Sequence, residues 1–109
     1  MPDKTFNAGW GQDDWEALSK EHGIPDQLKA LFNLIESRVV QPDIDTDVVG
    51  EVELKGQGAT FTVRKKSIQG KFKELQEKIK NCLAKAGYSE KQYQLKKLGE
   101  QQLKVIILS

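Results

Sequence analysis

At 109 residues, with 38% hydrophobic and 30% charged side chains, the chain has the size of one folded domain and a composition outside the disordered and membrane-spanning classes. Its longest apolar run, Val105–Leu108, is far short of the ~20 residues a membrane helix needs. The single cysteine, Cys82, excludes an internal disulfide and fits a reducing, cytoplasmic compartment. The start of the chain lacks a basic segment followed by an apolar block, so no signal peptide is expected.

The formal net charge of +1 hides a division. Residues 1–54 carry four bases against twelve acids, a net of −8, and residues 55–109 carry thirteen bases against four acids, a net of +9. Such a split marks a basic binding face, or two halves that attract each other in the fold.

Residues 1–11 hold Phe6, Gly9, Trp10 and Gly11 without any period and read as an extended arm. A helical pair over 12–38 follows. Asp13 or Asp14 caps a short helix through about Glu21, with Trp15 and Leu18 on one side and Gly23 ending it. Pro25 suits a helix start. A second helix then runs to about Arg38, with Ile24, Leu28, Leu31, Phe32, Leu34 and Ile35 as a broad apolar stripe. Residues 41–47 form an acidic linker opened by Pro42.

The remainder, 48–109, reads as a ββαββ body. Val48 to Leu54 and Ala59 to Val63 alternate with a period of two around a turn at Lys55–Gly58, which sets Leu54 against Ala59 and Val52 against Phe61. The strongest helical pattern runs from Ser67 to Gly87. Ile68, Phe72, Leu75, Ile79, Cys82, Leu83 and Ala86 share one face, Ser67 is the expected N-cap, and Gly87 suits a Schellman ending with Tyr88 packed back on Leu83. Ser89–Gln92 matches a capping box, Tyr93 and Leu95 alternate as in a strand, and Gly99–Gln101 reads as a turn. Val105–Leu108 leaves no polar side, which predicts a last strand buried on both faces and placed inside the sheet. The central helix covers one face in this expectation, and the N-terminal helices or a second subunit cover the other. The fold class expected is α+β, ordered α-α-β-β-α-β-β, with a mixed or antiparallel sheet of about four strands.

Two lysine series with seven-residue spacing flank the helical stripe. Lys71, Lys78 and Lys85 lie on one side, and Lys66, Lys73 and Lys80 on the other. Two turns of about 10.5 Å separate members of a series, a spacing that could follow phosphates. The alternative is a solvated face with Glu74–Lys78 and Lys73–Glu77 pairs. Arg64 is the sole arginine of the basic half. Lysine binds phosphate as a point charge, so sequence-specific recognition is poorly supported.

Asp43, Asp45 and Asp47 open like a calcium loop, but Val48 and Leu54 stand where glycine and glutamate are needed. Gly56-Gln57-Gly58 leads into a strand and offers no phosphate cradle. His22 suits a helix C-terminus and Cys82 the core. No base–nucleophile pair, metal set or cofactor fingerprint is present, so neither an enzyme nor a cofactor is expected. Trp10 and Trp15 are core anchors or interface aromatics. The leading functional expectation is a non-catalytic protein-interaction or regulatory module, homodimeric or bound to another protein, away from membranes. The alternative is a nucleic-acid-binding domain using Arg64, Lys66, Lys71, Lys73, Lys78, Lys80 and Lys85.

Overall fold

The structure, a computed structural model, describes residues 4–6, 15–42, 45–66 and 72–108, with the backbone alone for 4–6 and 47–50. Among the described residues there are three α-helices: α1 (Trp15–His22), α2 (Asp26–Ile35) and α3 (Phe72–Lys85). A π-helical turn, Glu36–Val40, continues α2. It is closed by the bond from the Gln41 N–H to the Glu36 carbonyl. The strands are β1 (Lys4–Phe6), β2 (Thr46–Lys55), β3 (Gly58–Lys65), β4 (Tyr93–Leu98) and β5 (Gln102–Ile107).

The predicted α+β class and element order are present. The sheet runs β1-β2-β3-β5-β4, and every neighbouring pair is antiparallel. Lys4–Phe6, inside the segment expected to be an arm, adds a short edge strand on β2. β4 runs in the direction of β3, with β5 inserted between them.

Local chemistry sets the helix ends. Gly87 takes φ +92°, which a side chain would strain, and the N–H groups of Gly87 and Tyr88 donate to the carbonyls of Ala84 and Leu83. That pair of bonds is the Schellman ending expected there. Gly23, at φ +70°, closes α1 in a related way, with its own N–H and that of Ile24 donating to Ser19. The Ser89 N–H donates to the side-chain oxygen of Gln92, half of the expected capping box, although the segment stays a turn. Ser67, Ile68 and Lys71 lie outside the described residues.

All three helices lie on one side of the sheet. Leu28, Leu31, Phe32, Ile35 and Val39 join Leu75, Ile79, Cys82 and Leu83 in one core with Val52, Leu54, Ala59, Phe61, Val63, Leu103, Val105 and Ile107. This corrects the expectation that the N-terminal helices cover the opposite face. It also corrects the last strand: β5 is internal, as predicted, but it is buried on one face only. Leu103, Val105 and Ile107 are buried, whereas Ile106 is half-buried on the outer face and Leu108 is 44% exposed. An apolar run reports local hydrophobicity; whether its second face meets another layer depends on where distant helices dock.

A second correction concerns the β2–β3 hairpin. Leu54 opposes Ala59, but Val52 does not oppose Phe61. Between the pairs Val49–Thr62 and Glu53–Thr60, β2 spends Gly50, Glu51 and Val52 against Phe61 alone, a bulge that a strict period of two cannot register. Gly56 takes φ +59° in the two-residue loop, as its first position in a tight hairpin requires.

Trp15 belongs to the core. It is 2% exposed, its ring lies 4.7 Å from Phe32, and Phe32 in turn meets Phe61 edge-on at 5.6 Å. Its indole N–H donates to the Glu36 carboxylate. Its candidacy as an interface residue is therefore replaced by a role in holding α1 on α2 and the sheet. Trp10 lies outside the described residues.

Candidate functional site

The fold spreads the described sequence-predicted cations over several separate places. Lys78 and Lys85 line a cleft with Asn81 and the buried Cys82, facing Arg38 of the π-helical turn. Lys80 lies on the other flank of α3, in a hollow with Gln76, Glu90, Tyr93 and Leu95. Lys73 borders one hollow with Phe72, Glu74 and Lys97 and another with Glu74, Glu77, Lys78 and Asn81. Lys97 sits 5.1 Å from the Phe72 ring centre, a cation–π contact that ties β4 to the start of α3. Lys66 is exposed just beyond β3, where its N–H donates to the Asp45 carbonyl. Lys71 lies outside the described residues.

Arg64 is separated from all of these. Along β3, Phe61, Val63 and Lys65 are buried while Thr60, Thr62 and Arg64 are half-buried, so Arg64 stands on the sheet face away from the helices. The six described cations therefore do not form one surface. The expected helix pairs are not made either. Among the described residues, Lys73, Lys78, Lys80 and Lys85 make no ion pair. An ion pair joins Lys29 to Glu16 at 2.8 Å, linking α1 to α2.

The outer face of the sheet carries cations that the sequence pattern did not single out. Lys96 of β4 stands directly opposite Lys104 of β5, and Lys104 is opposite Thr62 of β3. One pair along, Leu98 opposes Gln102, which opposes Arg64. On the other side, Gln94 opposes Ile106, which opposes Thr60. Lys96 and Leu98 are exposed, and Thr62, Arg64, Lys104 and Ile106 are half-buried. No acidic residue occupies an outer-face position of β4 or β5; the acids Glu51 and Glu53 lie on β2, toward the opposite edge. The division of charge along the chain thus becomes a division across the sheet. Strand pairing places Lys96 opposite Lys104, and the only sequence signal for it was the alternation of β4.

Arg38 is a further residue missed. It belongs to the acidic half by sequence, yet it faces Lys78 and Lys85. Burial pushes the Cys82 thiol above its ordinary range, and the charges of Arg38 and Lys85 only partly oppose that shift. Cys82 is therefore a protonated core thiol and not an activated nucleophile. Among the described residues, no group of three or more His, Cys, Asp or Glu side chains is gathered to hold a metal ion. No helix among them is long and apolar enough to cross a membrane.

Comparison with known protein families, with curated proteins and with solved structures finds no match for this chain.

Proposed function

We propose that this domain is a non-catalytic binding module that takes an acidic protein partner on the outer face of its sheet. The observation that supports it is the row Lys96–Lys104–Thr62, bordered by Arg64 and by the partly exposed Ile106 and Leu98. Like charges placed directly opposite on neighbouring strands destabilise a sheet. Carboxylates of a partner would offset that repulsion, and Ile106 and Leu98 would add apolar contact beside the charges. Interfaces combine an apolar centre with a polar rim in this manner. Electrostatic complementarity of this kind chiefly raises the association rate and sets specificity. A reducing, cytoplasmic setting accords with the lone thiol.

A nucleic-acid backbone is the second reading, favoured by the same cations. The outer face offers no aromatic residue at its described side-chain positions on β3, β4 and β5, so bases would have no stacking platform.

Fluorescence anisotropy separates the two. The probes are a glutamate- and leucine-rich peptide and mixed-sequence DNA and RNA, at physiological salt. Saturable peptide binding, weakened at least tenfold by Lys96→Glu with Lys104→Glu, is the expected result. Nucleic-acid binding whose logarithm falls with log salt at about −0.9 per phosphate contact, and which is lost in the same variant, would establish the second reading instead. Sedimentation velocity identifies the partner as a second copy if a concentration-dependent dimer disappears in that variant. Absence of binding to every probe, with a monomer throughout, removes the proposal.

A further inference from the structure

The cleft between α3 and the π-helical turn is independent of the sheet face, since it opens on the helical side of the molecule. Its rim is Arg38, Lys78, Asn81 and Lys85, and its floor is Cys82. Three cations from two separate elements converge there. Among the described residues none of the three makes an ion pair. The acid nearest to Arg38 in its own segment is Glu36, whose carboxylate accepts bonds from the Trp15 indole and the Gln41 amide. Glu74 and Glu77, the acids of α3, border a neighbouring hollow with Lys73, Lys78 and Asn81 rather than this cleft.

The placement is built by the fold. The i→i+5 bond of Gln41 widens the turn that carries Arg38, and single π-turns of this kind recur at functional sites. Val39, next to Arg38, is buried and anchors the turn against the core. On the opposite wall, Lys78 and Lys85 are seven residues apart and share a face of α3, with Asn81 between them. The C-terminal end of a helix repels anions through its free carbonyls. Here the carbonyls of Leu83 and Ala84 are occupied by the Schellman bonds, and the Ala86 carbonyl accepts from Gln27 Nε2 at 3.0 Å. An anion in the cleft therefore meets ammonium and guanidinium groups.

We propose that the Arg38–Lys78–Asn81–Lys85 cleft binds a phosphate-class oxyanion. The guanidinium supplies the planar fork that matches two phosphate oxygens, the lysines act as point charges, and the Asn81 amide donates to a remaining oxygen. The cleft volume of about 120 Å³ is below the ~300–1,000 Å³ that encloses a drug-sized ligand. It suits a single anionic group, either free phosphate or the phosphomonoester of a small molecule.

The test is two-dimensional 1H–15N NMR of the full chain at constant ionic strength, sodium phosphate replacing sodium chloride, with O-phosphoserine as a second arm. Expected are saturable shifts at the Asn81 and Cys82 amides, the Asn81 side chain and Arg38 Nε. Arg38→Gln should weaken binding at least tenfold and Lys85→Gln at least threefold, while Lys96→Gln changes nothing. Tighter binding of phosphoserine assigns the site to a phosphomonoester, and equal binding assigns it to the phosphate group alone. Shifts that rise without saturation, or that persist in a folded Arg38→Gln variant, overturn the site. Because Lys96 and Lys104 take no part in it, its failure leaves the sheet-face proposal standing, and the reverse also holds.

Discussion

Lys96 and Lys104 stand directly opposite each other on β4 and β5, on the sheet face away from the helices. Two like charges in that geometry work against the pairing that positions them. Replacing one by an acid converts repulsion into attraction. Lys104→Glu should raise stability by about 0.2–1 kcal/mol, seen as a thermal midpoint higher by roughly 1–6 °C. The gain should shrink as salt is added, because the pair is partly solvated. A midpoint that falls in calorimetry would mean that the repulsion is already neutralised within the chain.

Gly58 begins β3 against the end of β5. A Cβ built on it would come within 2.0 Å of the Ile107 carbonyl oxygen. That neighbour is backbone in the middle of a ladder, held by the Ala59–Ile107 pairing, and cannot swing aside. Gly58→Ala should therefore destabilise by about 1–3 kcal/mol, the range for forced overpacking. Urea unfolding measures it. Gly99→Ala is the control for strain without crowding, since Gly99 has φ +71° and nothing within 4 Å of a Cβ.

Trp15 tests the assignment of the aromatic to the core. Trp15→Ala should lose about 3–5 kcal/mol, a large share of the ~5–15 kcal/mol available to a domain. It leaves a cavity beside Phe32 and removes the donor to Glu36. Trp15→Phe keeps the ring contact and should cost less. Urea midpoints unchanged by Trp15→Ala would show that the side chain works at the surface.

Alkaline pH should weaken the fold by a route the structure specifies. Burial raises the ionisation of the Cys82 thiol and the Tyr88 phenol above their ordinary values. The folded chain therefore holds protons that the unfolded chain releases first. The stability so contributed is complete below the unfolded values, about 8.5 for a thiol and about 10 for a phenol. It is lost as pH rises through the higher folded values. Denaturation midpoints should be level from about pH 6 to 8 and decline above that, and Cys82→Ala should remove the earlier part of the decline.

Much of the architecture was legible because it rests on nearest-neighbour chemistry. The steps between Phe72, Leu75, Ile79, Cys82 and Leu83 place five side chains on one side of any α-helix, and Gly87 can adopt the φ that ends it. The alternation from Ala59 to Val63 likewise depends only on strand geometry. The candidate site was legible in part. The lysine spacing on α3 put Lys78 in line with Lys85, and the two border one cleft, while Lys80 lies in a separate hollow and Lys73 borders a hollow with Lys78. It could not reveal that Arg64 points away from all of these.

By itself, then, the sequence determined α1 to α3, β2 to β5, the glycine endings of α1 and α3, the apolar stripes of the helices and the opposite charges of the two halves, though not β1, the π-helical turn or the single buried face of β5. The tertiary structure alone decided that every helix lies on one side of the sheet, which leaves Ile106, Lys104 and Lys96 on an outer face. It also decided that Arg38 meets Lys78 and Lys85. The physical reason is the range of the information. Periodicity and capping act over one or two turns, where 3.6-residue and two-residue repeats fix which side chains share a face. Strand order, the β2 bulge and the docking of α2 beside α3 are set by how whole apolar faces bury one another, between segments tens of residues apart.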